Sequence, residues 1–286
     1  MTEETNNQGI NVLSLFDGMS CGQIALERAG VKVNNYFASE IDKHAIAVTK
    51  HSYPNTIHVG DVTKLKSSSL PKIDLLIGGS PCQSISNLGD RSGLDGKSGL
   101  FFEWLRLKEE TNPKYFLLEN VVGNKKAIQQ ITDLVGVEPV LFNSNLVSAQ
   151  NRARLYWTNI DFRLPENKGI VLKDILDKEH SSCSTVSESR LKWLLSDKGQ
   201  MSVSKKYSAI DPIKANCLTA RSDASWNCNY VTRNGVITKL SPEEYEKLQT
   251  VPIGYTSTAR TSERYRMLGN GWTVDVIAHI LKNMKF

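Results

Sequence analysis

The apolar residues in the first half of the chain come in short unbroken runs separated by stretches with helical spacing. "NVLSLF" (11–16), "YFAS" (36–39), "TIHV" (56–59), "IDLLIGG" (73–79) and "KYFLLENV" (114–121) have the length and continuity of strands buried on both faces. "GQIALERAG" (22–30), "DKHAIAVTKHS" (42–52), "LFFEWLRLKEE" (100–110) and "NKKAIQQITDLVG" (124–136) place apolar residues on one helical face. Strand–helix alternation implies right-handed crossovers, so the predicted fold is α/β, a mostly parallel doubly wound sheet covered on both faces. The rhythm breaks after "RLYWTNI" (154–160), where Ser, Lys and Asn become frequent and the strands shorten. The expected division is a domain of residues 1–160 plus 266–286 and a smaller one of residues 161–265. In the smaller domain, "TVSESRLKWLLSDKG" (185–199) predicts one helix, opened by a Thr185/Glu188 capping box and closed at Gly199. "GNGWTVDVIAHILKNM" (269–284) predicts an apolar-faced helix that returns to the first domain.

Composition narrows the class. With 286 residues, 40% of them hydrophobic, the chain can bury a substantial core. No run of about 18 apolar residues is present, so a transmembrane helix is not expected. The N-terminal "MTEETNNQGI" is polar and acidic, unlike a secretory signal, and the expected setting is the cytoplasm. Five cysteines with no Cys-x-x-Cys pair argue against a disulfide framework or a zinc site, and no metal is expected. The net charge is +5, and residues 181–241 carry all of it, with nine Lys/Arg against four Asp/Glu. Such a local excess suits a polyanionic partner, and equally suits a solvated lysine-rich surface.

"LFDGMSCGQIALERAG" reads as strand, glycine turn and helix. Gly18 and Gly22 let the backbone bend and leave room beside a helix N-terminus. Their G-x-x-x-G spacing disfavours a nicotinamide dinucleotide. Glu40 ends the second strand, where a carboxylate can accept from ribose hydroxyls, and Asp61 ends the third, within reach of an adenine amine. With Asp17 after the first strand, three carboxylates at successive strand ends suggest a nucleoside pocket, although an ordinary turn with surface acids would have the same residues.

The fourth strand leads into "GGSPCQSIS", which sets Cys82 after a proline among small polar residues. The fifth ends in Glu119 and Asn120. Beyond it lies "QNRARLYW", whose Arg152 and Arg154 share a face if the chain is extended. A thiol, a carboxyl and two guanidiniums thus converge on the sheet edge that carries the nucleoside pocket.

In these residues the chain resembles the cytosine-C5 DNA methyltransferase family. "FDGMSCG", "SEID", "GDV", "GGSPCQ", "ENV", "QNRAR", "LSPEEYEKLQTVP" and "LGNGWTV" match its motifs in order across residues 16 to 274. "GGSPC", "RARLYW" and "CLTARSD" are most similar to the short catalytic domains of the de novo type. The resemblance implies the class I S-adenosylmethionine-dependent methyltransferase fold with a target-recognition domain. It also implies methyl transfer from S-adenosyl-L-methionine to C5 of a flipped-out cytosine, with S-adenosyl-L-homocysteine as product.

By the same resemblance, Cys82 is the nucleophile that adds to cytosine C6. Its thiolate should be favoured by a nearby arginine. Glu119 holds N3 and the exocyclic amine, burial raising its pKa; Arg154 grips O2. Arg152 belongs to the same catalytic group, supporting the pocket or a phosphate, and Asn120 braces the turn. Phe16 packs on the adenine, Gly18 and Gly22 admit the cofactor, and Glu40 binds the ribose. Ile41 and Val62 line the adenine, with Asp61 on its amine. Pro81 fixes the turn beside the cofactor. Asn270, Gly271 and Trp272 close over the methionine end, and Asp17 either approaches its amine or only shapes the turn. Gln83, Ser84, Ser86 and Asn87 are expected to contact DNA from a loop spanning 80–99. Arg190, Lys205, Lys206, Arg221 and Arg233 are expected to do so from the small domain.

The implied partners are double-stranded DNA and a cognate restriction endonuclease, in a bacterial or viral host cell; the protein is expected to act as a monomer or weak oligomer without a membrane. The segment between "RARLYW" and "LSPEEY" is short for a restriction-type recognition domain, so a long target sequence is not expected. Two rivals remain at this stage, an RNA cytosine-C5 methyltransferase and a non-catalytic DNA-binding regulator. The Cys-Phe-Thr motif of the tRNA branch is missing, which disfavours the first. Intact Cys82, Glu119 and Arg154 disfavour the second.

Overall fold

Unbroken apolar strands need cover on both faces, and the computed structural model has them at the centre of a seven-stranded sheet. It describes residues 9–81, 99–177, 186–204, 209–222 and 228–285. In chain order the sheet and its helices are β1 (Ile10–Leu15), α1 (Cys21–Arg28), β2 (Val33–Ser39), α2 (Lys43–Ser52), β3 (Ile57–His58), β4 (Leu75–Gly79), α3 (Leu100–Thr111), β5 (Tyr115–Val121), α4 (Lys125–Val135), β6 (Val140–Asn143) and β7 (Ala153–Thr158). The strand order is β3-β2-β1-β4-β5-β7-β6, with β7 antiparallel to β5 and the β3 to β5 portion parallel.

Local chemistry sets the helix ends. Asp42 caps α2 by accepting from the His44 N–H at 2.9 Å. Asn124 caps α4 by accepting from Lys126 and Ala127. The left-handed Gly136 (φ 81°) stops α4. Behind the sheet, Phe101, Trp104, Phe116 and Trp157 join the aliphatic strand residues in one buried cluster. The buried Trp157 indole donates to Thr132 Oγ1 at 2.9 Å, so this aromatic residue leaves no orphaned donor in the core.

The chain separates into two compact units. The first is residues 1–142, 153–164 and 277–286; the second is residues 143–152 and 165–276, and so begins earlier and ends later than 161–265. The second unit contains α5 (Leu172–Ile175), α6 (Glu188–Leu195), α7 (Asp197–Ser204), β8 (Ala209–Ile210), β9 (Asn229–Arg233), β10 (Val236–Lys239), α8 (Pro242–Leu248) and α9 (Thr261–Asn270). Asn234-Gly235, both at positive φ, makes the tight turn between antiparallel β9 and β10. Leu194, Cys228 and Tyr230 form a separate small core there.

Two helical expectations are corrected. The stretch 185–199 is not one helix: α6 stops at Leu195 and α7 begins at Asp197. Ser196 causes the break, because its hydroxyl donates to the Trp193 carbonyl and accepts from the Gly199 N–H. Ser187 caps α6, and Gly199 lies inside α7, where a Cβ would stand 2.0 Å from the Trp193 carbonyl oxygen. Thr185 lies outside the described residues. The stretch 269–284 also splits, into the end of α9 and α10 (Val274–Leu281). At the split, a Cβ on Gly269 would stand 2.2 Å from the Thr219 carbonyl, so only glycine allows that approach.

Candidate active site

The register aligns the carboxyl ends of four parallel strands. Ser39, Leu15, Gly78 and Leu118 are successive partners across β2, β1, β4 and β5. The next residue on each strand is Glu40, Phe16, Gly79 and Glu119. Three inter-strand steps separate the outer two, about 14 Å. This edge is where open parallel sheets bind ligands.

The turn after β1 is unusual. Phe16 (φ 57°), Gly18 (φ 59°) and Ser20 (φ 57°) are all left-handed. For phenylalanine and serine this conformation is costly and must be held by neighbours. Glu40 supplies much of that hold. One carboxylate oxygen accepts from Gly18 N–H at 2.7 Å, and the other from Ile41 and Asp42 N–H at 2.7 and 2.8 Å. A carboxylate offers about four acceptor sites, so Glu40 Oε2 retains one for a further donor such as a ribose hydroxyl. Among the described residues, no atom beyond the adjoining residues lies within 4 Å of the Cβ position of Gly18, leaving open space over the turn. Ile41 is 76% exposed beside it, an apolar surface with nothing to cover it among the described residues. Asp61 accepts from the Thr63 N–H and hydroxyl through Oδ1. Those bonds hold its carboxyl below the usual range, so it is an acceptor at neutral pH. Open space over a glycine turn, an exposed aliphatic face, a ribose acceptor and an amine acceptor fit an adenosyl group.

Asp17 is committed to the protein. Its carboxylate accepts from Tyr36 Oη at 2.7 Å and from Ser20 Oγ. Burial pushes its pKa up to about 6, against the pull of hydrogen bonds from Ser14, Ser20 and Tyr36, and the Glu40 charge adds to the rise. The turn-shaping role is therefore filled. A folded-state pKa above the unfolded value means that this group favours folding below about pH 4 and loses that contribution as pH rises through 6. The melting-temperature difference between Asp17→Asn and wild type should therefore move in favour of the variant between pH 4 and pH 7.5. A pH-independent difference by calorimetry would contradict this.

Glu119 and Arg154 form an ion pair, Nε to Oε1 at 2.9 Å, with side chains only 12% and 14% exposed. The β5–β7 register sets it up: Glu119 faces Tyr156 and Val121 faces Arg154, so the two charges are diagonal neighbours on one face. Gly79, paired with Glu119, leads through buried Ser80 to Pro81. Asn120 Nδ2 donates to Ser80 Oγ at 3.2 Å, bracing that turn. Cys82, the next residue, lies outside the described residues, as do Gln83, Ser84, Ser86 and Asn87. Among the described residues, no group of three or more His, Cys, Asp or Glu could hold a metal ion, and no helix is long and apolar enough to cross a membrane.

A model of the C-5 cytosine-specific DNA methylases matches residues 10–211 and 196–286. The chain belongs to this family. Relatives include the orphan methyltransferase M.SPRI of Bacillus phage SPR, 36% identical over 189 residues, which cover 59% of this chain and 43% of the phage protein. The type II methyltransferase M1.ScrFI of Lactococcus lactis subsp. cremoris is 30% identical over 303 residues, covering 96% of this chain and 77% of its own. The type II methyltransferase M.NlaX of Neisseria lactamica is 28% identical, with 96% of each chain covered. The match to the phage proteins M.SPRI and M.Rho11sI thus spans less than half of their length. Among solved structures, the Entamoeba histolytica methyltransferase EhMeth superposes with a TM-score of 0.76 at 16% identity, covering 96% of this chain and 98% of that one. The S. pombe Dnmt2 methyltransferase superposes at 0.72 and 18% identity, covering 95% and 97%. Both similarities bear on the fold, which is that of the S-adenosylmethionine-dependent class.

Several methylase-family residues sit otherwise than their motifs suggest. At Gly22 a Cβ would lie 2.6 Å from Tyr36 Oη and 2.7 Å from Ile77 Cδ1, so glycine there lets α1 close onto the sheet. Val62 is buried in the core cluster. Among the described residues, Arg152 and Arg154 have different partners. Arg152 precedes β7 and donates to the carbonyls of Leu218, Gly269 and Gly271 at 2.7, 3.2 and 2.9 Å, all in the second unit. Asn270, Gly271 and Trp272 also belong to that unit.

Arg233 is corrected as a DNA contact: its guanidinium is 7% exposed and ion-paired with the fully buried Glu244. Arg190 donates to Tyr230 Oη at 2.9 Å and lies over the Trp193 ring, so much of it is structural. Arg221 is exposed, and Lys205 and Lys206 lie outside the described residues. The motif "LSPEEYEKLQTVP" hides functions not assigned from sequence. Buried Gln249 donates to the Leu268 and Gly271 carbonyls and accepts from Gln150 and Thr273, holding the turn between α9 and α10. Buried Glu246 accepts from Gly254, Thr256 and Arg264. A polar residue at a helix position expected to be apolar was the available signal.

Proposed function

We propose that this chain is a DNA (cytosine-5-)-methyltransferase acting on a cytosine extruded from double-stranded DNA. The observation that carries the reading is the aligned strand edge. It has Glu40 at one end, and at the other the Glu119–Arg154 pair beside the Gly79–Pro81 segment that leads to Cys82. S-adenosyl-L-methionine, when bound, supplies the methyl group and departs as S-adenosyl-L-homocysteine. Glu40 receives the ribose, Ile41 and Phe16 the adenine faces, and Asp61 the adenine amine.

Cys82 adds as thiolate to C6 of the extruded base, which moves electron density onto C5 and makes that carbon nucleophilic. Glu119 holds N3 and the exocyclic amine, and Arg154 holds O2, where charge develops as sulfur bonds to C6. After methylation, loss of the C5 proton returns the electron pair to the ring and expels the sulfur. Extruding the base costs a few kcal/mol, repaid by these contacts. The second unit, with its local positive excess, serves as the recognition domain. Alignment over 96% of each chain with a type II methyltransferase supports a place beside a restriction endonuclease.

The test is purified protein with methyl-labelled cofactor, offered random duplex DNA or tRNA, followed by base-resolution mapping. Label should enter duplex DNA as 5-methylcytosine at one short sequence. Label confined to tRNA, or absent from both, would overturn the proposal.

A further inference from the structure

We propose that Arg106 on α3 is a positioning residue for the adenine end of the cofactor site. This rests on the methyltransferase reading above and adds a residue to it. The 3-10 turn Val62–Lys64 carries Asp61 at its start and has two backbone bonds of its own, Lys64 N–H to the Asp61 carbonyl at 3.0 Å and Leu65 N–H to the Val62 carbonyl at 3.3 Å. Arg106 Nη2 reaches into this turn from outside and donates to both the Val62 and Leu65 carbonyls, at 3.2 and 3.1 Å. The same guanidinium is gripped by two acids of its own helix. Glu103 accepts from Nε and Nη2 at 2.9 and 2.7 Å, and Glu110 from Nη1 at 3.0 Å.

The two acids fix the fork in one plane, and the fork fixes the turn. Asp61 Oδ1 is taken by Thr63, and Oδ2 has no donor among the described residues, which leaves it to meet an incoming amine. A shift of the turn by a few tenths of an ångström would carry that oxygen off its line. Arg106 touches neither ligand nor reacting atoms; it acts through Asp61. A lysine could serve one carbonyl but not reproduce the planar fork.

The test measures binding of S-adenosylhomocysteine and S-inosylhomocysteine to the full-length protein by calorimetry. The second ligand has an oxo group where the first has the amine. Wild type should prefer the adenosyl ligand. Arg106→Ala should weaken adenosyl binding by roughly tenfold, the scale of one charge-assisted hydrogen bond. Its preference over the inosyl ligand should narrow to within about twofold, and Arg106→Lys should recover only part. In turnover the effect should fall on KM for the cofactor rather than on kcat. If Arg106→Ala does not fold, Arg106→Lys and Glu110→Gln should show a smaller narrowing in the same direction. A folded variant that keeps wild-type preference overturns the proposal, whether its affinities are unchanged or fall equally for both ligands. Wild type that binds neither ligand would instead defeat the methyltransferase reading.

Discussion

Cys82→Ser is expected to lower methyl transfer by on the order of 10⁴-fold or more while cofactor affinity stays within about twofold. The asymmetry follows from which steps need sulfur. Nothing at the Glu40 end of the strand edge depends on the thiol, so binding there should be indifferent to the change. Addition to C6 does depend on it. A thiol with a pKa near 8.5 is partly ionised at working pH, and more so beside an arginine, whereas a serine hydroxyl is not. Two measurements check this, calorimetry with S-adenosylhomocysteine and single-turnover transfer to duplex DNA. DNA carrying 5-fluorocytosine sharpens the result. Fluorine at C5 cannot leave as a proton does, so the wild-type protein should become trapped on the DNA as a denaturation-resistant adduct and the serine variant should not. Turnover by the serine variant at the wild-type rate would refute the covalent route.

The second large effect is expected at Glu119. Glu119→Gln keeps the shape of the side chain but removes the charge that faces Arg154 and replaces an acceptor oxygen by a donor. Transfer should fall by about 10²–10³-fold, the usual scale for losing a positioned acid or an electrostatic contact to developing charge. Glu119→Ala should do further harm of a different kind. It removes the carboxylate paired with the Arg154 guanidinium, 14% exposed, near the start of β7. Removing one member of a buried pair costs about 3–5 kcal/mol, and the remaining exposure puts the lower part of that range in view. Urea unfolding should thus separate the two variants, with alanine well below glutamine, while both are slow. A glutamine variant within threefold of wild-type turnover would remove Glu119 from the chemistry.

The sheet was legible because a strand buried on both faces is a short, largely apolar run, and β1, β4 and β5 are such runs. The edge on which the candidate residues gather was legible for the same reason: once the strands are parallel, Glu40 and Glu119 must emerge on one side. Long-range polar partners were not legible. Arg152 and Arg154 look like neighbours on one strand, but β7 begins at Ala153, and the carbonyls that claim Arg152 come from residues 218, 269 and 271. Arg233 stands in a lysine-rich stretch that suggests a polyanion, yet its counter-charge is Glu244, buried at the start of α8. Gly22 was assigned to ligand space on spacing alone, because Tyr36 and Ile77, which need that space, lie on other strands. Ser196 has no local mark that distinguishes a helix break from an ordinary helical serine.

The strand edge has one more consequence. Hydrogen-bonded β-structure resists stretching, so in the proposed reading the gap between a ribose held at Glu40 and a base held at Glu119 behaves as a ruler of set length. A donor analogue whose transferable chain is longer by a carbon or two has no way to lengthen that ruler. It must push the pyrimidine off Glu119 or lift its own ribose from Glu40, and in either place it forfeits contacts that the natural donor keeps.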